Sequence, residues 1–540
     1  MPVLTERQFA IFDDVQGIRE DIPNIKINKA YSVKGSVNVM LRYGRAQRIQ
    51  GRLRELLDNS NDRVRTPDTN PVIRYHRHYS ADGTEYEFCA TKANIYLWSQ
   101  ANGSFSTMFT CASDCVLWEI VSFKGNVIVT NWVDFIQYWS EDNPGMVFAP
   151  LDGASGLDTD GGSTYVQKAK YLTTYENKVI IGFTQETGTV YPRRVRACSL
   201  NDETDWQSTG GSGDAYAKDF SEGEGLIKGF GHYLFDDANL LVVFKDDIKS
   251  SHYFMWTVES DDVFATNRIS NTGGLLATHS VVNDVEGNLY YIGADYAVRK
   301  LRFGVVSRAI APSLVGINQT YQDYIDSTYF GGEYNQLAWT IPGGPNSTGN
   351  DKVIRLNLER GIWEIDDFTV CAWGNYSRQS NWTIDTIPYA TIDGIGWATI
   401  DTTEAIAGFQ LDLCSDYEGY TYDYHTSELD DQAEFTASLV LSTDLSDKGS
   451  LGWFKRCWSM RFFFKRQSTG TVDIYFKEDE AASWESLGEV DLTDEDLPGI
   501  VIVDFGDIDL RFRTGLLKLE TTNAFGFLGV IFNYDYDGEL

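Results

Sequence analysis

A chain of 540 residues exceeds one ordinary hydrophobic core, so a large domain plus at least one smaller one is expected. Its 78 acidic residues against 45 basic ones give a formal net charge of −33, which argues against a sequence-reading DNA binder, because such affinity comes from Lys and Arg neutralising phosphates. Aromatic content of 14%, 48 glycines and few long helical periodicities argue against an α-helical class and point to an all-β chain.

The opening residues, Met1 to Gln8, have no apolar core of a signal peptide. No apolar run approaches the roughly 20 residues that span a bilayer, so no membrane insertion by this chain is expected. Residues 1–65 stand apart as an N-terminal docking segment, with weak strand signal and the one dense basic cluster: Arg42, Arg45, Arg48, Arg52 and Arg54. Residues 45–57 read as a short helix, weakened by Gly51. The cluster reads either as a solvated edge or as a docking surface for an acidic partner or a neighbouring copy of the chain.

Residues 66–415 repeat one grammar: an apolar strand, a short polar turn, and a second strand ending near an aromatic residue. It recurs at 87–98, 126–139, 240–256, 288–303 and 352–368, with single-strand echoes at 178–183, 336–341 and 395–400. Units start roughly 40 to 60 residues apart, the period of a four-stranded propeller blade, so a β-propeller of about six or seven blades is predicted. Gly-rich stretches at 152–162, 208–214 and 343–349 read as loops. The acidic, Tyr-rich stretch 416–432 reads as a boundary. Residues 432–540 then alternate strands and polar turns at close spacing, which predicts a C-terminal β-sandwich.

Sites for chemistry are sparse. Seven cysteines at irregular spacing include one close pair, Cys111 and Cys115, with no second pair to complete a zinc site, so no metal is expected. There is no Gly-x-Ser-x-Gly, no Walker loop and no His-Glu-x-x-His, and Ser446 to Trp453 does not keep the spacing of a sialidase turn. The Asp-rich stretches at 158–161 and 533–538 are too short of ligands for calcium and read as a turn and a final strand. The expectation is no catalytic residues and no cofactor.

Several motifs resemble, in order, a family of tailed-bacteriophage tail proteins. They are 169–183, then Tyr191-Pro-Arg-Arg-Val-Arg196, then 201–206 ending in Trp206, followed by 240–245, 269–274, 280–283, 289–295, 335–339 and 355–363. The segment 38–52 resembles the family's opening hairpin, and 484–488 with 527–534 resembles its C-terminal end. The resemblance is closest to the tail nozzle, or packaged-DNA stabilisation, proteins of short-tailed phages. It implies a structural virion protein built on a propeller. Its partners would be copies of itself in a ring (a hexamer), the portal and adaptor ring proteins, and tail fibre or spike proteins. Packaged double-stranded DNA would pass through without specific binding. Two other functions fit a propeller: a tail-tip or baseplate protein binding host glycans, and a glycan depolymerase.

Overall fold

The computed structural model describes residues 8–12, 15, 17–21, 32–42, 45–54, 64–99, 102–208, 214–236, 238–249, 252–258, 263–269, 272–331, 334–378, 409–442, 454–478, 481–494 and 497–536. Seven antiparallel sheets follow one another along the chain, six of four strands and one of five. Their inner strands are Val72–Tyr79, Glu119–Phe123, Tyr165–Tyr175, Ile227–Phe235, Val282–Asn283, Asp326–Phe330 and Trp373–Arg378. Each inner strand touches the next, and the seventh touches the first, so the sheets close into a seven-bladed propeller.

The repeat grammar has a structural cause. The recurring apolar runs are middle strands of blades, such as Asn126–Thr130, Leu289–Ile292 and Gln336–Ile341, nearly every residue of which is buried. A middle strand has a blade against each of its faces, so it reads as a continuous apolar run instead of an alternation. The buried side chains group by seam. Phe88, Trp118 and Trp139 fill the gap between blades 1 and 2, and Phe123, Leu172 and Trp206 that between blades 2 and 3. The seam between blades 7 and 1 is the thinnest among the described residues, holding Val72, Tyr75, Cys89 and Ala372. Polar contacts reinforce it: the Tyr75 hydroxyl lies 2.8 Å from Thr421 Oγ1, and Ser415 Oγ donates to the Val72 carbonyl at 2.6 Å. Gly374 is required here, because a Cβ would sit 2.6 Å from the Tyr75 ring.

The described residues of 1–65 are not a separate unit but pair into the two parts that follow. Gly51–Arg54 pairs antiparallel with Thr421–Ser427 and supplies the outer strand of blade 7, so one blade joins strands from both parts of the chain. Val39–Arg42 and Arg45–Arg48 form a hairpin that, with Gln8–Phe12, adds to a C-terminal sheet. In place of the helix expected over 45–57, the described residues 45–54 form two strands, Arg45–Arg48 and Gly51–Arg54, joined by two residues. Gly51, which weakened the helix reading, is needed for close approach: a Cβ there would meet the Leu429 carbonyl oxygen at 2.5 Å.

The expected boundary at 416–432 also moves. Thr421–Ser427 is the third strand of blade 7, with Tyr422 and Tyr424 in the core between blades 6 and 7. The stretch reads as a linker because of its acids and tyrosines. The rings pack inward and their hydroxyls donate to carboxylates: Tyr422 to Asp416 at 2.6 Å and Tyr424 to Asp366 at 3.1 Å. The strand echo at 395–400 lies outside the described residues.

After blade 7 the chain forms two facing sheets. One runs Ala437–Ser442, Gly515–Thr521, Thr471–Glu478, Glu485–Asp491 in spatial order. The other is built around Gly526–Tyr536, Lys455–Lys465 and Ile500–Phe512, with the N-terminal strands on its edge. Lys455–Lys465 shows the alternation that places one face inward. Met460, Phe462 and Phe464 are buried, whereas exposed Arg461 pairs with Asp504. These side chains share one core with Leu439, Ile474, Phe476 and Leu519 of the other sheet.

Backbone bonds tie sandwich to propeller. Ile18 N donates to the Trp363 carbonyl and Asn38 N to that of Ile365, both at 3.0 Å, and Leu41 N donates to Glu364 Oε1 at 2.7 Å. Behind this contact Arg355, wholly buried, forks onto Asp366 at 2.6 and 2.8 Å and meets Glu364 at 2.8 Å. Burial raises the Glu364 carboxyl above its usual range, and the Arg355 charge pulls it back down.

Candidate functional site

The structure splits the five arginines of the basic cluster. Arg52 is buried, with its guanidinium bound to Asp430 at 2.7 and 2.8 Å and to the Thr369 carbonyl. It lies 4.8 Å from the Tyr422 ring centre and 5.2 Å from that of Phe368. Arg48 is also buried, stacked 3.9 Å over Phe435 and donating to the Glu428 carbonyl. Burial holds its charge below the usual arginine value, with Glu428 and Glu434 opposing the shift. Both residues are used inside the molecule. Arg42 and Arg45 face each other across their hairpin, each half-buried, and Arg42 sits 5.8 Å from the Tyr334 ring centre. Arg54 pairs in the closing strand through its backbone. The alternation of strands produces this division, since buried and half-buried positions alternate along Arg45–Arg48.

Where propeller meets sandwich, Arg42 and Arg48 border a groove of about 330 Å³. Tyr334, Glu428, Lys465 and Gln467 are among the other residues of its wall. With Arg48 engaged internally, Arg42 and Lys465 are the other basic residues of its lining, beside Glu428, in a protein of net charge −33. Lys465 is exposed and half-buried Arg42 lines the same space, so the groove is edged by basic side chains. Sequence reading finds Arg42 but misses Lys465 and Gln467. They come from a strand end more than 400 residues away, and no local signal marks them.

The motif Arg193-Arg-Val-Arg196 also acquires a physical role. Arg196 forks onto buried Glu186 at 2.8 and 2.9 Å, and Arg194 joins Glu186 to Asp219. The Arg196 charge and hydrogen bonds hold the Glu186 carboxyl below its usual range against the opposing effect of burial. Trp206, closing the motif, is buried and donates to the Glu203 carbonyl at 2.6 Å. These motif residues tie blade 3 together. In the turn at 158–161, Asp158 and Asp160 accept hydrogen bonds from the backbone of residues 160–164, as expected of an Asx-type turn. Among the described residues, no group of three or more His, Cys, Asp or Glu could hold a metal ion, and no helix is long and apolar enough to cross a membrane.

No family model matches the chain, and no curated protein matches it. Among solved structures it is similar to BBS1N in complex with ARL6DN, at 9% identity over 70% of this chain and 98% of that one, with a TM-score of 0.36. It is also similar to YCF48 bound to D1 peptide, at 9% identity over 68% of this chain and 95% of that one, with a TM-score of 0.37. Likeness at this level carries no functional argument. The propeller assignment rests on the chain's own closed ring of sheets.

Proposed function

We propose that this chain is a structural protein of a bacteriophage tail, of the nozzle class. Copies form a ring below the portal and adaptor, extend the DNA channel, retain packaged DNA and let it leave on infection. The reading is carried by the ordered run of motifs from residue 169 to residue 363, which resembles such proteins. Those motifs fall on strands and turns of blades 3 to 6. Two further features suit the role. The sandwich side is hydrogen-bonded to blade 6 through Ile18, Asn38 and the Leu41 amide on Glu364, a continuous join that suits a load-bearing part. An acidic body repels DNA, which carries one negative charge per about 1.7 Å of axis, and gains nothing from counterion release.

In this reading the groove at the propeller–sandwich junction receives an acidic surface of the next copy, a heterologous contact that can close a ring. The test is an image of the intact virion with this chain labelled. A ring of copies around the axis below the portal is expected. A position at a fibre tip, or absence from the particle, would overturn the reading. The double substitution Arg42→Glu with Lys465→Glu tests the groove. It should block incorporation while leaving the melting temperature of the isolated chain within a few degrees, and normal incorporation would remove the groove from the seam.

A further inference from the structure

The first strands of the blades wall the propeller axis, and a polar cavity there has no part in the role proposed above. It measures about 250 Å³ and takes residues from six blades or the turns between them, among them Arg74, Glu119, Thr173, His279, Asn283 and Ser327. A second space, about 390 Å³, shares Arg74 and Ser327 with it and carries the axial opening on past His76. At about 30 Å³ per water the first space holds roughly eight waters, the size class of one small ring-shaped ligand.

The protein's own bonds use only part of the lining. Thr278 Oγ1 donates to Glu119 Oε1 at 3.0 Å, Ser327 Oγ to the His279 carbonyl at 2.6 Å, and Asn283 Nδ2 to the His232 carbonyl at 2.8 Å. Arg74 makes one long contact, 3.3 Å to Asp326, from a side chain that is 29% exposed. The His279 side chain is only 8% exposed, yet its buried Nε2 has no hydrogen-bond partner and lies 3.5 Å from Glu119 Oε1. A buried polar atom without a hydrogen bond costs free energy, and Glu119 at 3.5 Å is too far to supply one, so water or a ligand in the cavity can serve as its partner. The second oxygen of Glu119 and the remaining N–H groups of Arg74 are available to the same partner.

The chemistry of that partner follows from the lining. Arg74 is paired with Asp326 and Glu119 lies beside His279, so the described lining holds no unpaired cation to favour an anion. Donors and acceptors are intermixed: guanidinium, imidazole, carboxylate, amide and hydroxyl. Half-buried Phe230 adds an apolar face. Such a wall suits a ligand that carries several hydroxyls, each able to donate and accept, on a compact ring with an apolar side. We infer that the axial cavity binds a single neutral sugar ring. Its hydroxyls donate to Glu119 and accept from Arg74 and His279.

The test is saturation-transfer NMR on the full chain, with D-glucose, D-galactose and N-acetyl-D-glucosamine as probes. At least one sugar should receive saturation from the protein. Glu119→Gln should weaken its binding by tenfold or more, and Thr173→Phe, which fills the cavity, should abolish it. Near-ultraviolet circular dichroism confirms that each variant is folded, and if one is not, the other decides. Absence of saturation for all three sugars, or equal binding by a folded variant, would overturn the inference. So would binding of inorganic phosphate that Arg74→Gln removes, because it would make the cavity an anion site. Each of these results leaves the tail reading untouched.

Discussion

Arg42 and Arg52 belong to one basic cluster in the sequence but should respond in opposite ways to removal. Arg52→Ala deletes a bidentate pair with Asp430, a bond to the Thr369 carbonyl and two ring contacts, all under the strand that closes blade 7. Breaking a buried ion pair costs about 3–5 kcal/mol. Asp430 keeps 21% of its side chain exposed, so water can partly replace the lost partner and the lower end applies, about 3 kcal/mol. Arg42→Ala, at a half-buried position over Tyr334, should cost less, about 1 kcal/mol, and leave the strand 421–427 unchanged. The assay is native-state hydrogen exchange of the strand Thr421–Ser427, read by mass spectrometry. Local opening that becomes easier by about 3 kcal/mol exchanges roughly 100-fold faster. Arg52→Ala should show that acceleration, confined to blade 7 and the adjoining seam, and Arg42→Ala should match the wild type. Equal rates in the two variants would refute the division of the cluster into a structural half and a surface half.

Buried groups predict opposing pH effects. Glu87 is fully buried with neither oxygen hydrogen-bonded, and burial raises its carboxyl well above the usual range. The folded state therefore holds a proton that the unfolded state releases above about pH 4.5, and stability falls as pH rises through that window. Relative to wild type, Glu87→Gln should gain about 1.4 kcal/mol per pH unit across it, measured by urea midpoints, and a pH-independent difference would refute this. His252 has the opposite sign. Burial, then Arg299 and Lys245, lower it to about 3, so its contribution is complete above about pH 6.5 and is lost as pH falls below that value. His252→Gln should flatten the decline between pH 6.5 and 5, and an unchanged slope would refute it. Limited proteolysis should spare 421–427, a paired strand with two buried tyrosines, and cut first at 428–436 where the propeller gives way to the sandwich. Early cleavage inside 421–427 would place the junction back where composition put it.

Local patterning determined the fold class. Runs such as 126–130 and 336–341 must be strands covered on both faces, and their recurrence at blade spacing predicts a propeller before any contact is known. The alternation along 458–464 likewise predicts a half-buried strand of a sandwich. These properties need only near neighbours, because the period of side-chain burial is set by the strand itself. Tertiary structure decided what composition could not. It joined Gly51–Arg54 to Thr421–Ser427, since strand pairing recognises backbone edges and carries no sequence address. It made Arg52 an internal lock and left Arg42 on a groove, because neighbours such as Asp430, Tyr422 and Tyr334 arrive from distant segments. It also gathered Arg74, Glu119 and His279 around the axis from strands and turns far apart in the chain. No spacing rule links such residues, since the closure of the ring alone brings them together.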